Sequence, residues 1–515
     1  MAVDGQRDVV AFLESPHAHS GETVTRIDTH SAFVFLAGDR AWKLKRAVRY
    51  GYLDFSTVER RRAACEREVC LNAPAAPSIY RGVAPVVRRA DGSLAIGGPG
   101  DPVDWLVEMN RFDESGLFDR LAARNELGLE LMRPLAGAIT AFHANAEPRP
   151  DHGGRAGMRW VADGNAEGFA EFGGIVLDVA TCRRVTEETL AEIERHAGLL
   201  EIRRAAGLVR QCHGDLHLRN IVLLDGRPTL FDAIEFNDEI ACTDVLYDLA
   251  FLLMDLWRQR LPRHANVVWN GYLSETGDHS GLPLLPLFLS CRAAVRAKTS
   301  ATAARLQPER AARTELEGAA RDYLAMAGVF LHPPRASMVA VGGFSGTGKS
   351  TLALALAPGV GATPGAVVLR SDELRKRLCG VSPLEHLGPE GYTPEVSQRV
   401  YGALTAQAAA VVRAGSSAIV DAVFATPADR SAIEQTAIGA GVPFLGVWLD
   451  APEPLLVERL HNRPADVSDA DAGVLRTQAA QGAGQITWQR FDASAPADVV
   501  LANAASRIRS LTAAA

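Results

Sequence analysis

Residues 343–350 read Gly-Phe-Ser-Gly-Thr-Gly-Lys-Ser and follow the apolar stretch Met338–Gly342. This is the spacing G-x-x-x-x-G-K-[ST], whose glycines let successive backbone N–H groups converge on phosphate oxygens. The lysine neutralises the β- and γ-phosphates, and the helix that follows directs its positive end at the same place. The stretch therefore predicts a loop that binds a nucleoside triphosphate. Its nucleotide-binding residues are expected to be Gly343, Phe344, Ser345, Gly346, Thr347, Gly348, Lys349, Ser350 and Thr351.

Two oxygen-bearing residues of this region are candidates for holding Mg²⁺. Ser350 is the hydroxyl that the motif places on the metal. Asp421 ends the apolar stretch Ala418–Val420, where a carboxylate that supports Mg²⁺ is expected. An aspartate in a turn at a strand end is the alternative interpretation of Asp421. The pattern favours ATP with Mg²⁺ as the cofactor of the C-terminal part.

The acceptor side of this site has its own candidates. Asp372 follows the second predicted strand, where a carboxylate would bind an acceptor hydroxyl and act as a base. It would serve equally well as the cap of the next helix. Arg459 and Arg463 lie beyond the strand Phe444–Leu449, where a lid would place them on phosphate. A solvated helix face is the alternative for both arginines.

Strands and helices alternate from Met338 to Leu460, and this alternation predicts a parallel sheet wrapped by helices. With its P-loop and the supporting stretches Arg370–Leu378 (RSDELRKRL) and Ile419–Phe424 (IVDAVF), the region 337–510 resembles the small P-loop kinases. That group includes zeta-toxin-like, gluconate-kinase-like and chloramphenicol-phosphotransferase-like proteins. The resemblance implies phosphorylation of a hydroxyl on a small molecule.

A second constellation lies at residues 213–220, which read His-Gly-Asp-Leu-His-Leu-Arg-Asn. Its spacing is that of the catalytic loop H-x-D-x-x-x-x-N, in which the aspartate accepts the proton of the acceptor hydroxyl and the asparagine binds Mg²⁺. Asp215 and Asn220 occupy those positions. A predicted hairpin over Ile221–Asp232 then delivers Asp232 as the principal metal carboxylate. Zinc binding by His213 and His217 is a weaker alternative, because the pair lies in a loop and lacks further ligands.

Lysine is scarce in this chain, with only Lys43, Lys45, Lys298, Lys349 and Lys376 among 54 basic residues. A lysine therefore calls for a reason, such as a compact charge against phosphate. Lys43 and Lys45 lie on a predicted strand and alternate onto one face, so the sequence does not choose between them as the phosphate lysine. Their acidic partner is expected on the next helix, with Glu68 as first choice and Glu66 as second.

These motifs, HGDLHLRN and Leu230–Phe236 (LFDAIEF), resemble the aminoglycoside phosphotransferase family, and Asp244–Leu249 (DVLYDL) fits a downstream structural segment of it. The resemblance covers residues 20–330 and implies a protein-kinase-like fold. It also implies that the backbone of Glu108 and Met109 forms the linker that binds adenine. One departure is evident, because no G-x-G-x-x-G precedes Lys43 and the first hairpin turns through Asp28-Thr29-His30-Ser31.

Composition limits the class of protein. The 515 residues carry a net charge of -7, which argues against a general nucleic-acid surface. We expect no signal peptide, no membrane span and no disulfide framework from the seven scattered cysteines, and hence a cytoplasmic location. The fold class that we predict has two domains. Residues 1–334 form a bilobal α+β kinase-like domain, and residues 335–515 form an α/β P-loop domain with a parallel sheet.

The leading hypothesis is a bifunctional kinase with two ATP sites and a small-molecule hydroxyl acceptor. A second hypothesis makes only the P-loop kinase active, with the N-terminal domain binding a regulatory ligand. A third is a nucleotide-gated interaction or stress module. Three acidic residues, Glu235, Asp238 and Glu239, would suit a cationic amino sugar or would be ordinary loop charges. The sequence leaves the acceptor and the oligomeric state open.

Overall fold

The computed structural model describes residues 6–382, 385–462 and 468–513. Internal packing divides the chain into two units, Met1–Asp163 with Ile193–Asp255, and Gly164–Glu192 with Leu256–Ala515. The predicted boundary between residues 334 and 335 lies within the second unit, and the division at that point stays a prediction.

A six-stranded antiparallel sheet begins the first unit, in the order β1-β2-β3-β8-β6-β7. Alternation along β3 places Leu44 in the core with Val9 and Leu13, and turns Lys43 and Lys45 to the opposite face, toward α2. The elements are α1 (Arg7–Glu14), β1 (Val24–Asp28), β2 (Ala32–Ala37), β3 (Arg40–Lys45), β4 (Arg49–Tyr50), β5 (Leu53–Asp54), α2 (Val58–Asn72), β6 (Tyr80–Arg88), β7 (Leu94–Ile96) and β8 (Asp101–Asn110).

Helices dominate the middle of the chain, as the sequence predicts. The expected hairpin is present as an antiparallel pair, with Ile221 opposite Leu230. The elements are α3 (Phe118–Ala123), α4 (Met132–Asn145), α5 (Gly154–Phe172), α6 (Val179–Arg195), α7 (Ala197–Ala205), β9 (Val209–Gln211), β10 (Ile221–Leu224), β11 (Arg227–Leu230), α8 (Asp238–Ala241), β12 (Cys242–Asp244), α9 (Val245–Arg258), α10 (Pro262–Thr276), α11 (Leu285–Leu306) and α12 (Arg310–Phe330).

The second unit contains a five-stranded parallel sheet in the order β14-β15-β13-β16-β17, which confirms the predicted fold class. Sequence reasoning missed β17, because its four residues are mostly polar. The elements are β13 (Met338–Gly343), α13 (Lys349–Leu356), β14 (Val367–Arg370), α14 (Ser371–Leu378), α15 (Pro394–Arg413), β15 (Ala418–Asp421), α16 (Pro427–Gly439), β16 (Phe444–Asp450), α17 (Glu453–His461), α18 (Ala472–Gln481), β17 (Gln489–Asp492) and α19 (Ala497–Ala513).

Two further sequence expectations concern membranes and cysteines. Every helix among the described residues is too short or too polar to cross a bilayer. All seven cysteines are free thiols, and only Cys70 and Cys379 are exposed.

Helix α10 covers the edge strand β14 of the parallel sheet. The Asn270 side chain accepts the N–H of Val368 at 2.7 Å and donates to the carbonyl oxygen of Ala366 at 3.1 Å. Asn266, which is 1% exposed, donates to the carbonyl oxygens of Pro364 and Ala366 at 3.1 Å. Buried backbone groups need such partners, so these amides complete the hydrogen bonding that a neighbouring strand would supply.

Replacing Asn270 with alanine is expected to lower the free energy of unfolding by about 1–3 kcal/mol, because the N–H of Val368 loses its acceptor. Differential scanning calorimetry of the full chain measures the effect. Asn503→Ala, on the exposed face of α19, is the matched control and is expected to change stability by less than about 0.5 kcal/mol. Equal effects of the two substitutions would refute the role of Asn270 at the sheet edge.

Candidate active sites

The loop between β9 and β10 presents Asp215. Its carboxylate Oδ2 accepts a hydrogen bond from Asn220 Nδ2 at 3.1 Å and lies 3.2 Å from His217 Nε2. Asn220 Nδ2 also donates to the Asp215 carbonyl oxygen at 2.9 Å. The side chain of Asp215 is 37% exposed, so an acceptor molecule can reach it. The loop thus holds a carboxylate at a fixed position and leaves it open to a substrate hydroxyl.

Asp248 holds this loop in place from helix α9. It accepts the backbone N–H of Gly214 at 2.8 Å and that of His213 at 3.2 Å, and it is fully buried. Sequence reasoning gave Asp248 only a structural place in the DVLYDL segment. The available signal was a carboxylate within an apolar helix, because such a buried group must be satisfied by hydrogen bonds.

The ring of His213 supports the loop that follows β11. Its Nε2 lies 2.9 Å from the carbonyl oxygen of Phe231, to which it donates, and burial lowers the pKa of the imidazole. Nε2 of His213 is therefore committed to a hydrogen bond. The zinc alternative for His213 and His217 finds no support among the described residues.

Asp232 lies two residues after the end of β11 and faces Lys43. Its Oδ1 lies 2.5 Å from Lys43 Nζ, and its backbone N–H donates to the Tyr80 hydroxyl at 3.1 Å. Burial alone would raise the pKa of Asp232, but the Lys43 ammonium outweighs it and the pKa lies below the usual range. The residue has a φ of 63°, which costs free energy for a residue with a Cβ and is concentrated at functional sites.

The two strand lysines have different surroundings, although both contact Glu68. Lys43 Nζ lies 2.8 Å from Glu68 Oε1 and also reaches Asp232. Lys45, which is 2% exposed, instead contacts Glu68 and Glu235. Glu66 is exposed and pairs with its helix neighbour Arg62. The structure thus brings together Lys43, Glu68 and Asp232, and leaves Lys45 in a buried ion-pair network.

Substitution of the two lysines is expected to separate these roles. Lys43→Met removes the ammonium beside Asp232 and is expected to lower kcat/KM for ATP by about 10²-fold or more, as loss of a charged phosphate contact does. Lys45→Met leaves Glu235 without its buried cation and Glu68 with Lys43 alone, and it is expected to destabilise the fold by about 3–5 kcal/mol. Steady-state kinetics and calorimetry on both variants check this. A larger kinetic defect in stably folded Lys45→Met would reverse the assignment.

The residues predicted as the adenine linker lie near the end of β8. Glu108 pairs with Trp42 of β3 on one side and with Gly82 of β6 on the other. The Glu108 side chain contacts Arg40 and lies 3.1 Å from Arg81. The strand ends at Asn110, and the linker role of Glu108 and Met109 stays a prediction.

The loop between β13 and α13 has the backbone that the P-loop motif requires. Gly346 and Gly348 have φ values of 85° and 87°, which side chains rarely adopt. A Cβ on Gly346 would lie 2.8 Å from the carbonyl oxygen of Leu456. Lys349 Nζ donates to the Phe344 carbonyl oxygen at 3.1 Å, and so lies back over the loop.

Ser350 and Asp421 meet at the carboxyl ends of adjacent strands. Ser350 Oγ donates to Asp421 Oδ2 at 2.5 Å, because β13 and β15 are parallel neighbours. Burial raises the pKa of Asp421, although Arg370, Lys349 and the Ser350 hydrogen bond oppose it. A hydroxyl and a carboxylate in this arrangement are hard oxygen ligands that suit Mg²⁺.

A cavity of about 1010 Å³ adjoins the P-loop. Asp372 lines it from the first turn of α14. Among the described residues no side chain caps the start of this helix, so the capping alternative for Asp372 is not observed. Arg459 also lines it and donates to the carbonyl oxygen of Ala493 at 2.9 Å. Arg463 lies outside the described residues. The cavity thus brings Asp372 and Arg459 to the same space as Lys349.

The three acidic residues considered for a cationic acceptor are each paired within the protein. Glu235 contacts Lys45, Asp238 contacts Arg67 and lies 3.2 Å from Arg149, and Glu239 lies 3.7 Å from His152. The sequence left open whether these residues bind a cationic amino sugar or are ordinary loop charges, and these contacts favour ordinary loop charges.

Comparisons with known proteins agree with this arrangement. A model described as the phosphotransferase enzyme family matches residues 118–284, and one described as an AAA domain matches residues 338–483. An uncharacterized protein of Mycobacterium tuberculosis is 31% identical over 482 residues, which cover 91% of this chain and 92% of the relative. The corresponding uncharacterized protein of Mycobacterium bovis has the same identity and coverage.

Solved structures that resemble parts of the chain are more distant. A gluconokinase from Sinorhizobium meliloti is 20% identical, with 35% of this chain and 95% of that chain covered and a TM-score of 0.26. A choline/ethanolamine kinase family protein from Mesorhizobium loti is 12% identical, with 64% and 95% covered and a TM-score of 0.36.

Proposed function

Because this chain belongs to the same family as the mycobacterial proteins and joins a phosphotransferase domain to a P-loop kinase domain, we propose that it is a two-site, ATP-dependent kinase. The chain is an enzyme of the kinase type. Each domain transfers the terminal phosphoryl group of ATP to a hydroxyl of a small molecule. Two sets of residues carry the proposal. Lys43, Asp215, Asn220 and Asp232 form one site, and the P-loop with Asp421 forms a separate one.

In the N-terminal site, Asp215 accepts the proton of the acceptor hydroxyl as that oxygen attacks. Its position is fixed by Asn220, and its exposure leaves room for the acceptor. Lys43 orients the α- and β-phosphates while Glu68 holds the ammonium in place. Asn220 and Asp232 would hold Mg²⁺, since their side-chain oxygens suit that ion. When bound, Mg²⁺ neutralises charge on the phosphates.

In the P-loop site, Lys349 turns from the Phe344 carbonyl to the β- and γ-phosphates, and the loop N–H groups bind the phosphate oxygens. Asp372 binds and deprotonates the acceptor hydroxyl, and Arg459 offers a cation to the transferred group. Ser350 and Asp421 would hold Mg²⁺ there. Rate acceleration in both sites comes from alignment and charge neutralisation.

The acceptor that we propose is a small hydroxyl compound, and a polycationic amino sugar is disfavoured because Glu235 and Asp238 already pair with internal cations. The proposal involves no nucleic-acid or membrane partner. Free thiols suit the reducing cytoplasm, where we propose that the protein works.

A second candidate function keeps only the P-loop site active and makes the N-terminal domain a ligand-binding regulator. The observation that favours it is the turn at residues 28–31 in place of a glycine-rich loop. The contact of Lys43 with both Glu68 and Asp232 favours the two-site function instead.

Radiolabelled ATP and a panel of sugars, polyols and amino alcohols test the proposal on the full chain. Four proteins are compared, the wild type, Asp215→Asn, Lys349→Met and the double variant. We expect each single variant to lose a different set of products and the double variant to lose all of them. If Asp215→Asn keeps every product and Lys349→Met loses all of them, the single-site function is correct. Full transfer by the double variant would refute both.

A further inference from the structure

The turn between β1 and β2 takes the place of a glycine-rich loop and is held by side chains. Thr29 Oγ1 donates to the carbonyl oxygen of Ala32 at 3.0 Å and accepts its N–H at 2.9 Å. Arg46 Nη1 donates to the Thr29 carbonyl oxygen at 2.7 Å. A glycine-rich loop offers its backbone N–H groups to phosphate, whereas in this turn the N–H groups of Thr29 and Ala32 are already bonded within the turn. Side chains of the turn are therefore the candidates for further phosphate donors.

His30 is the residue that this turn presents. Its ring lies 6.4 Å from the ring of Tyr52, which lies 6.3 Å from the ring of Phe236. Asn237 Nδ2 donates to the Tyr52 carbonyl oxygen at 3.0 Å. Since Phe236 and Asn237 follow closely after Asp232, this chain of contacts ties His30 to the segment that carries the metal carboxylate.

His30 lies within electrostatic reach of the charged groups of the site. Desolvation lowers the pKa of its imidazole, Asp215 and Asp232 oppose this shift, and Arg46 and Lys43 add to it. The turn that carries His30 thus faces the same space as the candidate base and the candidate metal carboxylate.

Three cations near the cleft already have partners within the protein, and one of them, Arg46, donates to the Thr29 carbonyl oxygen. Lys43 contacts Glu68 and Asp232, and Lys45 contacts Glu68 and Glu235. An imidazole N–H is a good donor to a phosphate oxygen and adds no fixed charge.

We propose that His30 binds the terminal phosphate of ATP in the N-terminal site and replaces the backbone donors of a glycine-rich loop there. The inference rests on the proposed function of that site. The ligand is the γ-phosphate of a nucleoside triphosphate, so His30 distinguishes triphosphate from diphosphate. Lys43 and Asp232 serve both nucleotides alike.

Isothermal titration calorimetry on the full chain tests this in a Lys349→Met background, which removes the P-loop lysine. The titrants are AMP-PNP and ADP, each with Mg²⁺. His30→Ala is expected to weaken AMP-PNP about tenfold or more, the effect of losing a hydrogen bond to a charged group, and to leave the Kd for ADP within about twofold. His30→Gln keeps a side-chain N–H donor and is expected to restore part of the loss. His17→Ala, at an exposed histidine outside the cleft, is the matched control.

Three results would overturn the inference. Unchanged affinity for AMP-PNP in His30→Ala would remove His30 from the phosphate site. An equal loss for both nucleotides would mean that His30 does not contact the terminal phosphate. If the Lys349→Met background binds neither nucleotide while the wild type binds one equivalent, the N-terminal ATP site itself fails, and His30 with it. Thermal unfolding of each variant shows whether a loss reflects misfolding.

Discussion

Asp215→Asn is expected to lower kcat at the N-terminal site by about 10²–10⁴-fold, because an amide cannot accept the proton of the acceptor hydroxyl. The KM for ATP is expected to stay within a few-fold, since Lys43 and Asp232 are unchanged. Asparagine keeps the size of the side chain and its contact with Asn220, which lies 3.1 Å away. Stability is therefore expected to change little. Transfer measured in the Lys349→Met background reports this site alone.

Asp225→Asn is the matched control for this substitution. Asp225 is exposed in the turn between β10 and β11 and has a φ of 48°, which asparagine tolerates well. The control is expected to retain full transfer. A kcat for Asp215→Asn within threefold of its parent would show that Asp215 is not the base. In that case the loop would serve only to hold Asn220.

Lys349→Met is expected to remove transfer at the P-loop site, with kcat/KM for ATP lower by about 10³-fold. Loss of one charge-stabilising group typically costs 10²–10³-fold in kcat, and the lysine also contributes to binding of the ground state. In the structure Lys349 Nζ donates a hydrogen bond to the nearby Phe344 carbonyl oxygen. Assays in the Asp215→Asn background isolate this site.

Arg413→Met provides the matched control, because Arg413 is an exposed cation at the end of α15. Thermal shift with Mg²⁺ and ATP is a second measurement. The nucleotide stabilises the folded state more as its affinity rises, so Lys349→Met is expected to lose the part of the shift that the P-loop site contributes and Arg413→Met none. Retention of both the shift and the P-loop products in Lys349→Met would contradict the assignment.

The short contiguous motifs of both candidate sites were predictable from the sequence. The P-loop and the HGDLHLRN loop are contiguous segments, and their chemistry depends on spacing along the chain. Gly346 and Gly348 adopt the positive φ values that the motif requires. The alternation of strands and helices after Met338 also predicted the parallel sheet, because each buried strand needs helices on both faces.

Other features depended on partners far away in sequence. Asp248 supports a loop 34 residues earlier, at Gly214, and no local pattern marks that pairing. The surroundings of Glu108 have the same origin, because only the register of the sheet shows that it pairs with strands on both sides.

The sequence by itself determined that the chain has a P-loop and a kinase-type catalytic loop. It also determined that a lysine-bearing strand precedes both of them. Only the tertiary structure decided which of the two lysines contacts Asp232. Alternation puts Lys43 and Lys45 on the same face of β3, and Asp232, which distinguishes them, is 189 residues away from Lys43. The pairing of Glu235 with Lys45 was decided in the same way. Periodicity fixes the face on which a side chain lies, but the charge that it meets there depends on how distant segments fold together.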